Sequence, residues 1–123
     1  MPCDIDTVLF ILLTSLLCIR SAEDAAAKAG VIGLARSAAA TYGSSNIRFN
    51  VVSPGLVRTE LTKRIWQNEV NAQASAQMHA LGRLGEPEQV SSLVLWLLDG
   101  NNNWITGQVI GIDGGLGKVL ARR

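Results

Sequence analysis

The chain has 123 residues, the length of one domain and enough to bury a real core. Its 48% hydrophobic and 17% charged residues exclude a disordered chain, and a net charge of +1 gives no footprint for nucleic acid or an anionic surface. Cys3 and Cys18 are too few and too unpatterned for a disulfide framework or a zinc site; they read as reduced thiols in a cytoplasmic protein.

Residues 8–19 form an apolar run broken only by Thr14 and Ser15. A dozen residues fall short of the roughly 20 that a membrane-spanning helix needs. Asp4 and Asp6 precede the run and Arg20 follows it, the reverse of a secretory signal. A buried strand over residues 8–13, a buried helix and a weak membrane anchor all fit, with the anchor ranked last, because a run apolar on every face has no period to read. Residues 1–20 are therefore set apart as an apolar segment of open structure.

From Ser21 to about Tyr42 there is no proline, and the alanine-rich composition predicts a long helix. Ser21 followed by Asp24 resembles a capping box, with Glu23 and Asp24 well placed for the helix dipole. Gly30 and Gly33 would each cost about 1 kcal/mol relative to alanine, so close backbone approach to a neighbour, the sheet or a second subunit, is expected there. Residues 43–46 (GSSN) end the helix.

Residues 47–53 (IRFNVVS) read as a strand closed by Pro54-Gly55, and the exit leads directly to Thr59. A helix feeding a strand whose carboxyl end opens into a loop is the unit from which open α/β sheets build ligand crevices; an ordinary strand-ending turn fits the same spacing. Residues 60–82 are polar and helix-compatible, either a cover over a pocket or an amphipathic helix on the core. Pro87 suits the first turn of a further helix, in which Val90, Leu93, Val94, Leu97 and Leu98 form a core-facing stripe. Residues 105–112 (ITGQVIGI) read as a last buried strand, followed by an Asp113-Gly114-Gly115 turn.

Other chemistry finds little support. His79 is the one histidine, and without a GxSxG elbow it reads as an exposed or lid-packed side chain rather than a catalytic base. No group of His, Cys, Asp and Glu has metal-ligand spacing. Six residues after Gly117 are too few for a phosphate-binding helix.

Four blocks in order, AAAKAGVIGLARSAA, NIRFNVVSPGLVRTEL, LGRLGEPEQVSSLVLWLL and WITGQVIGIDGG, resemble the carboxyl-terminal part of a short-chain dehydrogenase/reductase over residues 25–117. The resemblance implies an α/β fold: the carboxyl-terminal half of a Rossmann-like, doubly wound parallel sheet, with two or three parallel strands and flanking helices. Residues 21–123 would form that part of the domain. It implies NAD or NADP as cofactor and a small carbonyl or alcohol as substrate. Lys28 would be the lysine of the family's Y-x-x-x-K, which holds the nicotinamide ribose hydroxyls and lowers the tyrosine pKa. Pro54, Gly55, Val57 and Thr59 would form the loop that meets the nicotinamide carboxamide and neighbouring phosphate. Residues 60–81 would be the substrate lid, and the last two blocks a subunit interface.

Three departures bear on activity. Asp24 stands where the family has its catalytic tyrosine; a carboxylate can accept a proton but at neutral pH seldom holds one to donate, and it is shorter. Ile11 and Leu12 stand near the place of the catalytic serine, with Thr14 and Ser15 the nearest hydroxyls. No glycine-rich strand-to-helix turn is present to hold a pyrophosphate. The expected product is a truncated family member with little or no catalysis of its own. A docking module for itself or for full-length relatives, and an active enzyme of atypical design, are the alternatives. Uncovered apolar surface predicts self-association or poor solubility.

Overall fold

A computed structural model describes residues 7–11 and 21–122. Cys3, Leu12, Thr14, Ser15 and Cys18, and most of the apolar run with them, lie outside the described residues. Strand β1 (Thr7–Ile11) is followed by helix α1 (Ala22–Tyr42), strand β2 (Arg48–Pro54), helices α2 (Lys63–Trp66), α3 (Glu69–Met78) and α4 (Pro87–Leu98), and strand β3 (Val109–Ile112). The strands form one sheet in the order β1-β2-β3. Both pairings are parallel, with Val8 beside Phe49 and Val52 beside Ile110. This is the partial Rossmann-like α/β fold, with three strands, and of the three readings of the amino-terminal run the strand holds for residues 7–11.

Local chemistry explains most element boundaries. Ser21 caps α1: its backbone is extended and its Oγ accepts the Asp24 N–H at 3.2 Å, one half of the expected capping box. Hydrogen bonding to its own backbone amide, aided by the Ser21 hydroxyl, holds the Glu23 carboxyl below the ordinary glutamate range. At the other end the chain leaves α1 through a single turn of 3-10 helix and Asn46, whose φ of 60° is left-handed.

α1 buries only Ala35 and Ala39 and packs on β2. A Cβ added at Gly30 or Gly33 would meet nothing within 4 Å, so of the approaches expected at these glycines the one to the sheet does not occur among the described residues. The small face that packs lies one turn further on.

β2 is the centre of the core, with Val51 and Val52 almost fully buried beside Leu56 and Leu97. Two of its buried side chains are polar, and both hydrogen-bond to backbone groups. The Arg48 guanidinium donates to the carbonyls of Leu97 (2.8 Å), Asn102 (3.1 Å) and Ile105 (3.2 Å), a cation set on the carboxyl end of α4, where the helix dipole favours it. Asn50 donates from Nδ2 to the Ile105 carbonyl (2.9 Å) and accepts the Gln108 N–H at Oδ1 (3.2 Å).

Those bonds correct the last predicted strand. Residues 105–108 lie outside the strand: Asn50 takes the Ile105 carbonyl and the Gln108 N–H, Thr106 Oγ1 accepts the Phe49 N–H, and Gly107 turns at φ 70°, although the Gly107 N–H and the Gln108 carbonyl still bond to β2 at Phe49 and Val51. The strand begins at Val109 and alternates between exposed and half-buried residues rather than being buried. The stripe on α4 is also narrower than predicted: Leu97 is fully buried, Val90, Leu93 and Val94 are half-buried, and Leu98 is exposed. The Asp113-Gly114-Gly115 turn follows β3 as expected, with both glycines at positive φ and Asp113 accepting the N–H groups of Gly115 and Gly117.

Candidate functional site

A helix that joins two neighbouring parallel strands runs back against them, so the amino end of α1 lies on the side of the sheet where β2 ends. Asp24 and Lys28 occupy the first two turns of α1, four residues apart and therefore on one face; Asp24 is exposed and Lys28 half-buried. Pro54, Gly55, Val57 and Thr59 leave the carboxyl end of β2. Of the serine-position residues, Ile11 closes β1 and Leu12 lies outside the described residues.

The loop of residues 54–59 is held from several sides. Gly55 N–H donates to the Ile112 carbonyl (3.1 Å), tying the ends of β2 and β3 together. Leu56 and Arg58 pair with Gly85 through Gly85 N–H to Leu56 O (2.9 Å) and Arg58 N–H to Gly85 O (3.0 Å). Leu56 N–H donates to Nε2 of His79 at 3.2 Å. A surface ion pair, Arg58 to Glu86 at 3.5 Å, adds little in the exposed setting where it sits.

Gly55 is required by space. A Cβ there would lie 2.8 Å from His79 Nε2, 2.9 Å from Asp113 Cα and 3.0 Å from the Asp113 carbonyl oxygen. Its role is the tight crossing of three segments at the ends of β2, β3 and α3.

Thr59 closes the loop with Thr62, a residue that the sequence reading passed over. The Thr62 hydroxyl donates to the Val57 carbonyl at 2.6 Å and accepts the Thr59 N–H at 3.0 Å. With that proton committed, the Thr59 hydroxyl is the donor in the 3.1 Å contact between the two hydroxyls. Thr59 is exposed, and its carbonyl accepts the Trp66 indole N–H at 2.9 Å. A second hydroxyl three residues past Thr59, at the start of a helix, was the available signal.

This network tests the loop against a nicotinamide carboxamide. The N–H groups of Gly55, Leu56, Arg58 and Thr59 all donate within the chain, and among the described residues Val57 N–H has no acceptor. One unmatched amide beside one exposed hydroxyl fits a ligand with a carbonyl acceptor and a polar neighbour.

Behind the loop lies a cavity of about 110 Å³, lined by Leu56, Val57, His79, Leu84, Val90 and Ile112 among others. It is too small for a dinucleotide. Of the two settings expected for His79, exposed or lid-packed, it is not exposed: it is 1% exposed, with Nδ1 2.8 Å from the Ser75 carbonyl in α3 and Nε2 on the loop. Residues 60–82 form two short helices that pack on each other, leaving Leu61, Val70 and Leu81 exposed. Among the described residues no group of three or more His, Cys, Asp or Glu could hold a metal ion, and no helix is long and apolar enough to cross a membrane.

A family model described as enoyl-(acyl carrier protein) reductase matches residues 11–117. The chain is 42% identical over 92 residues to the 3-oxoacyl-[acyl-carrier-protein] reductase FabG of Thermotoga maritima, covering 75% of this chain and 37% of that one. It is 44% identical over 91 residues to carbonyl reductase family member 4 of Xenopus laevis, covering 74% and 36%. Among solved structures, a 4-hydroxyisoleucine dehydrogenase complexed with NADH superposes with a TM-score of 0.83 at 31% identity, covering 92% of this chain and 47% of that one. The chain thus spans little more than a third of the length of these two sequence relatives.

Proposed function

The chain belongs to the short-chain dehydrogenase/reductase family, and from that premise we propose that it is a partial oxidoreductase that keeps the nicotinamide-facing elements and has little or no hydride-transfer activity by itself. The observation that carries the reading is Asp24, one helical turn before Lys28, where the family's proton-transferring tyrosine belongs. NAD or NADP, when bound, supplies the hydride donor or acceptor. Lys28 would hold its nicotinamide ribose, Val57 N–H its carboxamide oxygen, and the Thr59 hydroxyl a neighbouring phosphate after turning from Thr62. A carboxylate in place of the tyrosine phenol is shorter and a poorer proton donor to a carbonyl oxygen, so reduction is the direction most impaired. The sequence also has no glycine-rich turn for the pyrophosphate.

The test is titration of the purified chain with NADH and NADPH, followed by nicotinamide fluorescence, with a panel of small carbonyls and alcohols. We expect weak binding and no turnover. Micromolar binding with turnover would overturn the reading in favour of an active enzyme of atypical design.

A second reading has support of its own: a module that docks on itself or on full-length family subunits. Leu34, Leu95, Trp96 and Trp104 are large apolar side chains between 49% and 97% exposed, and covering them would favour association. Retention on an immobilised full-length relative, lost on Leu95→Lys, would support it; no retention would sink it.

A further inference from the structure

We propose that His79 is a positioning residue of the candidate site, whose imidazole fixes the loop of residues 54–59 by holding the Leu56 N–H. The hydrogen bonds set its tautomer. Leu56 N–H is a donor, so Nε2, 3.2 Å away, carries no proton. The proton of the neutral ring is then on Nδ1 and is donated to the Ser75 carbonyl at 2.8 Å. Both ring nitrogens are thereby matched inside a residue that is 1% exposed, as a buried imidazole requires.

The ring is locked in place sterically as well. It fills the space that a Cβ on Gly55 would occupy, and its other side lies against Gly114, where an added Cβ would come within 3.6 Å of Cδ2. It joins α3, through Ser75, to the Gly55–Leu56 peptide. The next peptide, which carries the Val57 N–H, is held at the Leu56 carbonyl by the Gly85 N–H (2.9 Å), so the two bonds fix the backbone on both sides of the Leu56 Cα. A leucine at position 79 would fill similar space but leave the Leu56 N–H buried and unmatched. The nicotinamide ligand rests on the reading above; the coupling between His79 and Leu56 does not.

Nuclear magnetic resonance on the whole chain tests this. The ¹⁵N spectrum of His79 is expected to show Nε2 unprotonated and Nδ1 protonated. His79→Leu should speed exchange of the Leu56 amide by about tenfold or more while the α4 amides stay protected. His79→Gln, which keeps an acceptor at the ε position, should restore most of that protection; His79→Asn, which keeps only the δ group, should not. A protonated Nε2, unchanged exchange in His79→Leu, or equal behaviour of the glutamine and asparagine variants overturns the proposal. If His79→Leu does not fold, the wild-type tautomer and the glutamine–asparagine contrast decide it. Addition of NADH should perturb the Val57 amide in the wild type. No perturbation there counts against the nicotinamide reading alone, since tautomer and exchange judge the His79 coupling without it.

Discussion

Gly55 and Asp24 bound what the candidate site can do. Gly55 lets three segments cross within van der Waals contact, and nothing with a side chain fits there. Gly55→Ala is expected to cost about 1–3 kcal/mol, because the contacts it would violate are backbone and a locked ring rather than a flexible tip. Urea unfolding measures the loss. A variant as stable as the wild type would show that the loop crossing can relax. Asp24 is a different kind of constraint: the fold accepts it as an exposed residue in the first turn of a helix, where a carboxylate is welcome, so its cost falls on chemistry and not on stability.

Element by element, helix caps and polar anchors do what hydrophobic periodicity alone does not. α1 starts at Ser21 because its hydroxyl matches the Asp24 N–H, and Ser21→Ala should cost about 0.5–2 kcal/mol. The same end of α1 gives a pH dependence with a definite sign. Glu23 has its folded pKa below the usual glutamate value of 4.5, so its contribution is complete above that value and is lost as pH falls through the lowered one. Stability of the wild type should therefore drop relative to Glu23→Gln on acidification below pH 4.5, and parallel acid titrations of the two would be the contrary result. On the last segment, Asn50 takes the Ile105 carbonyl and the Gln108 N–H, and with Gly107 at positive φ the strand starts only at Val109.

For the whole molecule the decisive feature is how much apolar surface stays in water. Parallel sheets are normally covered on both faces and flanked by further strands. Here β3 alternates with exposed Val109, and α4 turns Leu95, Trp96 and Leu98 outward. Among the described residues the sheet ends at β1 and β3. Sedimentation velocity is expected to show dimers or larger species at micromolar concentration. A monodisperse monomer that melts cooperatively would show that three strands and their helices suffice.

The amino-acid sequence by itself determined the family and the main helices and strands after residue 20. Proline at 87, the cap at Ser21, the turn at residues 43–46 and the Pro54-Gly55 exit act over a few residues, so their consequences are visible in a few residues. The residues 54–59 were likewise legible as a loop, through an ordered motif. What only the tertiary structure decided was which polar groups meet across the chain. Nothing near position 79 in sequence says that its imidazole will accept the amide of Leu56, twenty-three residues earlier, or that Asn50 will bond the backbone of Ile105 and Gln108 ahead of the last strand. Nor does the α4 stripe reveal that Leu98 is left exposed, since burial depends on what packs against a face and periodicity records only the face.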